Sequence, residues 1–187
     1  MQTFDYMTYE DFGRRFFEVA VTEERVGAAF AQIAGDEFEM APIGQGPGKI
    51  AKVSAKVKIQ DPQIRRSVGD AITFDIHIPL AIDLLVDLRL DKQRFLVDGD
   101  IALRATARAA EPLLLIVDVA KPRASDITVH VSSNTIRGEV LRVIAGVDGE
   151  IRRFIAKYVA DEIDSPQSQA AQVIDVAAQL DEAWKGI

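Results

Sequence analysis

The chain has no cysteine, two histidines, three tyrosines and one tryptophan in 187 residues. The missing cysteine excludes disulfides and thiol catalysis, and it leaves the compartment open. With Trp184 the sole tryptophan, a core has to be built from branched aliphatics and phenylalanine. No window approaches ~18 consecutive apolar residues, so no helix is expected to span a membrane. The opening MQTFDYMTYEDF has neither the basic start nor the apolar centre of a signal peptide, and the expected location is cytoplasmic. Basic charge is also short: the net charge is −7 and the pI about 4.9, which speaks against nucleic acid as a partner. Both signs are interspersed along the chain, so the acidity reads as solubility.

Motifs of chemistry are equally scarce. The sequence holds no nucleophile elbow, dinucleotide fingerprint, helix-borne HExxH or EF-hand loop, and no cofactor is implied. Residues 36–49, DEFEMAPIGQGPGK, read as a loop. Its Gly44, Gly46, Gly48 and Lys49 superficially suggest a phosphate cradle. A cradle needs Ser or Thr after the lysine and a following helix N-terminus. Here Ile50 follows, Pro47 removes a donor, and the next element reads as a strand.

What the chain does have is alternation. From Ile72 to Leu90 every second residue is apolar: Ile72, Phe74, Ile76, Ile78, Leu80, Ile82, Leu84, Val86, Leu88 and Leu90. Successive strand side chains point to opposite faces, so period two predicts one buried and one wet face. Pro79 sits on the outward phase, which allows one long curved strand or two strands in one phase. Asp91-Lys92-Gln93 supplies a turn. Phe95, Val97, Gly99, Ile101, Leu103, Ala105, Ala107 and Ala109 then form a second long inward face that shrinks to alanine. Small inward side chains let a helix or a bound chain molecule come close to the sheet.

Shorter strands surround this pair. Val53, Ala55, Val57 and Ile59 alternate with Lys52, Ser54, Lys56 and Lys58; Ile64–Val68, Leu113–Val119 and Ile127–Val131 complete five or six strands. Short connections favour an antiparallel meander. The lysine row has two readings, pairing with aspartates across the sheet or attracting an anionic head group. Before the sheet, Thr8 and Thr22 look like caps of two helices, with Phe12, Phe16 and Val19 on one face and Val26, Ala29, Phe30 and Ile33 on the other. Gly35 is a natural stop. After the sheet, apolar residues from Ile136 to Val159 recur at three and four, with Gly146 and Gly149 as a possible break. Ser165-Pro166 opens a last helix carrying Ala170, Val173, Ile174, Ala177, Leu180 and Trp184. The fold class expected is therefore α+β in one domain, residues 1–187: N-terminal helices, a long curved antiparallel meander, and C-terminal amphipathic helices on its apolar face.

Candidates for chemistry all fall on outward phases. His77 with Asp75 and His130 with Asp126 would make a metal site only if their strands were neighbours, and their spacing matches no zinc or iron pattern. Asp83, Asp87 and Asp91 recur every fourth residue, without the apolar enclosure that separates the pKa values of catalytic carboxylates. No catalytic or metal residue is nominated, and a non-enzymatic role is expected.

The residues Ile72–Leu90 and Phe95–Ala109 as curved strands, and Ile136–Ile163 as a long helix, resemble the tubular lipid-binding superfamily that includes the bactericidal permeability-increasing proteins. That resemblance implies a curved sheet wrapped around a helix with lipid chains between them. Those proteins are often secreted or lipid-anchored, and no such signal is visible here. The pattern also resembles the helix-grip fold of START and polyketide-cyclase-like proteins, where the sheet leaves an apolar cavity. The segment GEIRRFIAKYVADEID is similar to stretches of actinobacterial proteins and implies no function. The expected function is binding of a lipid or other apolar molecule between sheet and helix. Candidate lining residues are Ile76, Leu80, Leu84, Ile101, Leu103, Ala105 and Ala107 on the sheet and Val147, Ile151 and Phe154 on the helix. The competing expectation is a solid core and a homodimer formed through an apolar surface near Trp184.

Overall fold

The computed structural model describes residues 4–45, 47–49, 51–131 and 138–185. Gly46, Ile50 and Ile136, used above, lie outside them. The elements are helices α1 (Tyr9–Ala20) and α2 (Glu23–Ala31), then strands β1 (Glu37–Gln45), β2 (Ala51–Ile59), β3 (Gln63–Val68), β4 (Ile72–Asp87), β5 (Lys92–Ala110), β6 (Leu114–Val119) and β7 (Ile127–His130). Helices α3 (Gly138–Ile163), α4 (Pro166–Gln172) and α5 (Val176–Trp184) follow, with the short strand β8 (Val173–Asp175) between the last two. The architecture is α+β, a curled antiparallel sheet with helices packed against it. Among the described residues eight strands stand where five or six were expected.

The spine is the antiparallel pair β4–β5, in register from Thr73 opposite Thr106 to Asp87 opposite Lys92. Each outer edge of this pair is tiled by two short strands. Along β4, β3 pairs with Ile72–His77 and β2 with Leu80–Asp87. Along β5, β7 pairs with Asp98–Ile101 and β6 with Ala105–Ala110. Outside them, β1 pairs with β2 and β8 with β6.

Of the two readings of Pro79, a single unbroken strand is correct. The N–H and C=O of one strand residue point the same way, and the Pro79 carbonyl accepts from Gln60 N at 2.9 Å. The donor that proline lacks therefore faces the gap between the end of β2 and the start of β3, where no ladder bond is needed.

Four other expectations are corrected. Residues 37–45 are a strand, not a loop: Phe38 and Met40 point inward, and the register shifts at Ala41-Pro42. A bulge with a proline is a common way to blunt an edge strand. The alternation overruns β4, because Leu88–Asp91 forms the hairpin turn, with Arg89 at φ 68° and Leu90 fully exposed. The last helix is interrupted, since Val173 and Ile174 belong to β8, paired with Ile116 and Leu115. The inward run on β5 also stops at Ala107, with Ala109 exposed.

Helix α3 is continuous through Gly146 and Gly149. It buries Val140, Ile144, Val147, Ile151, Ile155 and Val159, one face at three- and four-residue spacing. It touches β1 and β2 from one side of the sheet order and β7 with the 3-10 turn Ala124–Asp126 from the other. The sheet therefore curls around it, as the tubular resemblance implies. Gly146 lies where β1 closes on the helix: Gln45 Nε2 donates to the Gly146 carbonyl at 3.2 Å, and a Cβ there would sit 3.1 Å from Gln45 Oε1. On β5, a Cβ at Gly99 would stand 2.9 Å from Ile82 Cδ1 and 3.1 Å from the Thr128 carbonyl oxygen.

The core is accordingly tight at its centre, and two substitutions measure this. Ile151→Ala is expected to lower unfolding free energy by about 2–5 kcal/mol through a cavity. Gly99→Ala is expected to cost about 1–3 kcal/mol through overpacking. Urea unfolding checks both, and an unchanged midpoint for Gly99→Ala would mean the sheet yields there.

Candidate functional site

The outer face of the sheet is a set of cross-strand ion pairs. Lys52 stands opposite Asp87 and Lys56 opposite Asp83, so the lysine row meets the aspartates. Lys56 Nζ also reaches Glu37 at 2.6 Å, and its hydrogen bond and charge hold the Glu37 carboxyl below the usual range. From β5, Lys92 approaches Asp87 at 3.4 Å and Arg94 approaches Asp83 at 3.5 Å. Asp91 lies in the turn, apart from the other two. His77 on β4 faces Ala102, and His130 on β7 faces Asp98, so β5 separates the two histidine strands. Among the described residues no three His, Asp or Glu side chains gather as metal ligands would.

On the inner face a cavity of about 280 Å³ opens at the end of the sheet where β3 and β6 lie. Its floor comes from the sheet: Ile59 at the end of β2, Leu103 on β5, Leu115, Val117 and Val119 on β6, and Ile174 on β8. Helix α2 supplies one wall through Val26, Ala29 and Phe30, continued by Ile33 in the turn that follows it. The last turn of α3 supplies another through Tyr158, Val159, Glu162 and Ile163, and α4 adds Ser168, Ala171 and Gln172.

Local sequence places each wall. The Thr8 hydroxyl accepts from Asp11 N at 3.1 Å and that of Thr22 from Arg25 N at 3.3 Å, so both N-terminal helices start where their caps stand. Between them the Arg66 guanidinium donates to the carbonyls of Glu18 at 2.8 Å and Val21 at 2.7 Å, tying the junction to β3. Gly35, at φ 91°, turns the chain after α2, and its N–H donates to the Ile59 carbonyl at 2.8 Å. Ile59 N donates to the Asp36 carbonyl at 2.9 Å, which fixes Asp36 at the rim. At the other side the Ser165 hydroxyl accepts from Ser168 N at 3.1 Å, with Pro166 in the first turn, so α4 turns back sharply from α3.

Phe38 of β1 stacks on Tyr158 with ring centroids 3.8 Å apart and tilts against Phe154 at 5.9 Å. The stack leaves the Tyr158 ring at the cavity edge. Burial, then the carboxylates of Glu162 and Asp36, push the Tyr158 phenol above its ordinary value.

Of the candidate residues, Leu103 lines the cavity. Ile76, Leu80, Leu84, Ile101, Ala105, Val147 and Ile151 are closed in the packed centre, Ala107 is buried near the end of β5, and Phe154 packs half-buried on Phe38. Sequence reasoning overlooked the α2 wall as a site, although its stripe was visible. The usable signal was an apolar stripe, Val26, Ala29 and Phe30 with Ile33 just beyond, on a nine-residue helix that buries only Val26.

No protein-family model and no curated protein matches the chain. Among solved structures it is similar to one titled a lipopolysaccharide binding protein, at 14% identity and a TM-score of 0.42. The match covers 86% of this chain and 39% of that one. No described helix is long and apolar enough to cross a membrane.

The Tyr158 environment gives a direct check. A tyrosine whose folded pKa is raised keeps its proton longer in the fold than in the unfolded chain. Its contribution to stability is therefore present below about pH 10 and lost as pH rises through the folded value. Ultraviolet difference titration should show a late tyrosinate phase that Tyr158→Phe removes and Glu162→Gln moves to lower pH. A phase indifferent to Glu162→Gln would separate the phenol from that carboxylate.

Proposed function

We propose that the protein is a non-enzymatic binder of an apolar small molecule or a single lipid chain, held in the cavity between α2, the end of α3 and the β5–β6 part of the sheet. The observation that carries this is the cavity itself, about 280 Å³ and walled mainly by aliphatic and aromatic side chains. Small-molecule sites span roughly 300–1,000 Å³ and are mostly apolar with a few polar groups at the edge. A volume just below that range suits one chain and excludes a whole phospholipid. The packed centre around Val147 and Ile151 leaves the ligand at the end of the groove and not along its length.

A second reading has its own observation. Helix α1 buries no residue, and Phe4, Tyr6, Met7, Tyr9, Phe12 and Val19 are all exposed. Exposed apolar patches of this kind mark partner surfaces. A protein acting as a homodimer through this face, with no ligand, is the alternative.

Native mass spectrometry of the protein purified from its own host, followed by denaturing extraction, distinguishes the two. The expected result is a one-to-one adduct released on unfolding. Ala29→Phe, which fills the mouth from an exposed position on α2, should abolish uptake of N-phenyl-1-naphthylamine while leaving the thermal midpoint within a few degrees. A clean apo mass with no probe uptake, together with a dimer that Phe12→Asp dissociates, would replace the binding reading by the surface one.

A further inference from the structure

Three charged side chains line the cavity, Arg25, Asp36 and Glu162. The Arg25 guanidinium is committed: it donates to the carbonyls of Val19 at 3.3 Å and Ala20 at 2.9 Å, at the C-terminal end of α1. Among the described residues no cation lies within ion-pair distance of Asp36 or Glu162. The neighbouring acids of α3 are different, since Asp161 pairs with Lys157 and Asp164 with Lys121, each at 2.6 Å. Asp36 and Glu162 have no such pair, and both face the cavity.

Backbone charge has the same sign. The last residues of α2 and α3 both stand in the wall, so the negative ends of two helix dipoles meet there. Neither helix has a basic residue in its last turn. Their terminal carbonyls are closed by neutral donors: Ile33 N and Ala34 N for α2, and Asp164 N, Ser165 N and the Gln172 amide for α3. The α1 end, by contrast, is covered by Arg25 and Arg66. Tyr158 adds an aromatic face at the same edge, which attracts cations and repels anions.

We propose that the ligand is a cationic amphiphile, an apolar chain or ring system carrying an amine, whose ammonium group lies between Asp36 and Glu162 at the cavity rim. The proposal rests on the reading that the cavity takes an apolar ligand. It assigns the polar end of that ligand and sets it against carboxylate and phosphate lipids, whose charge would meet two carboxylates and two helix C-termini. An alkyl ammonium, with a pKa near that of lysine at about 10.4, stays charged at neutral pH. Asp36 is exposed and Glu162 half-buried, so the attraction is partly screened and salt-dependent.

The test uses three probes of one chain length: dodecylamine, dodecanol and dodecanoic acid, titrated calorimetrically below their aggregation limits. The amine is expected to bind at least about tenfold more tightly than the acid at low salt, the size of one partly screened charge contact. That ratio should shrink as salt is raised. In the Asp36→Asn/Glu162→Gln double variant it should fall toward one while dodecanol affinity stays unchanged, which also shows that the variant folds. Equal or tighter binding of dodecanoic acid to the parent protein would overturn the proposal, as would a ratio that the double variant leaves intact. Binding of none of the three would overturn the apolar-ligand reading beneath it.

Discussion

The whole structure depends on covering the inner face of one two-stranded ribbon. β4 and β5 pair continuously over fifteen positions, Thr73–Asp87 against Lys92–Thr106, and every inward side chain along β4 is buried. A ribbon of that length twists and coils, and no ordinary strand of ~5–6 residues can match it along an edge. Tiling each edge with two short strands keeps the backbone paired while the sheet bends between the tiles. Pro79 stands at one such joint, where the missing donor costs nothing. The bent sheet then needs an apolar cylinder inside it, and the stripe of α3 supplies one.

Lengths explain why the covering is incomplete. At about 1.5 Å per residue the 26 residues of α3 reach about 39 Å, whereas the 19 residues of β5 reach about 63 Å at roughly 3.3 Å each. The far end of the ribbon, flanked by β3 and β6, is left to short elements: α2 against β3, and α4 and α5 against β6. Short helices meeting at angles cannot fill space as one long helix does in a groove. The cavity is the volume they leave. Its position thus follows from the mismatch between one helix and two strands.

Much of this was legible in the residues. Unbroken alternation through Phe74, Ile82 and Ile101 announced the two long strands, and the caps at Thr8, Thr22 and Ser165 marked helix starts correctly. What was not legible depended on partners distant in sequence. Val173 and Ile174 fit a helical stripe, and only pairing with Leu115 and Ile116 turns them into strand. Phe38 and Met40 alternate over too few residues, beside too much glycine and proline, to declare β1 without β2 next to it. The same limit governed the site. Leu103 belonged to a long list of inward residues, and nothing local separates it from Ile101, which lies deeper in the packed centre. The distinction arises from where α3 ends.

Charge sharpens that distinction. Among the described residues no polar or charged side chain is buried, so the core carries no specific polar pairing, and the outer face resolves its charge across strands through Lys56, Arg94 and Arg104. Asp36 and Glu162 lack such partners, and their position on the cavity wall, beside the C-terminal ends of α2 and α3, is what gives that meaning. Such exposed pairs contribute little stability, on the order of 0–1 kcal/mol each, so folding does not demand a cation beside Asp36 or Glu162. Folding does demand that helix ends be hydrogen-bonded, and the amides that close α2 and α3 do so without cancelling their dipoles. The rim is therefore negative through what folding leaves unneutralised. A ligand that brings its own positive charge completes an electrostatic arrangement that the chain alone leaves open.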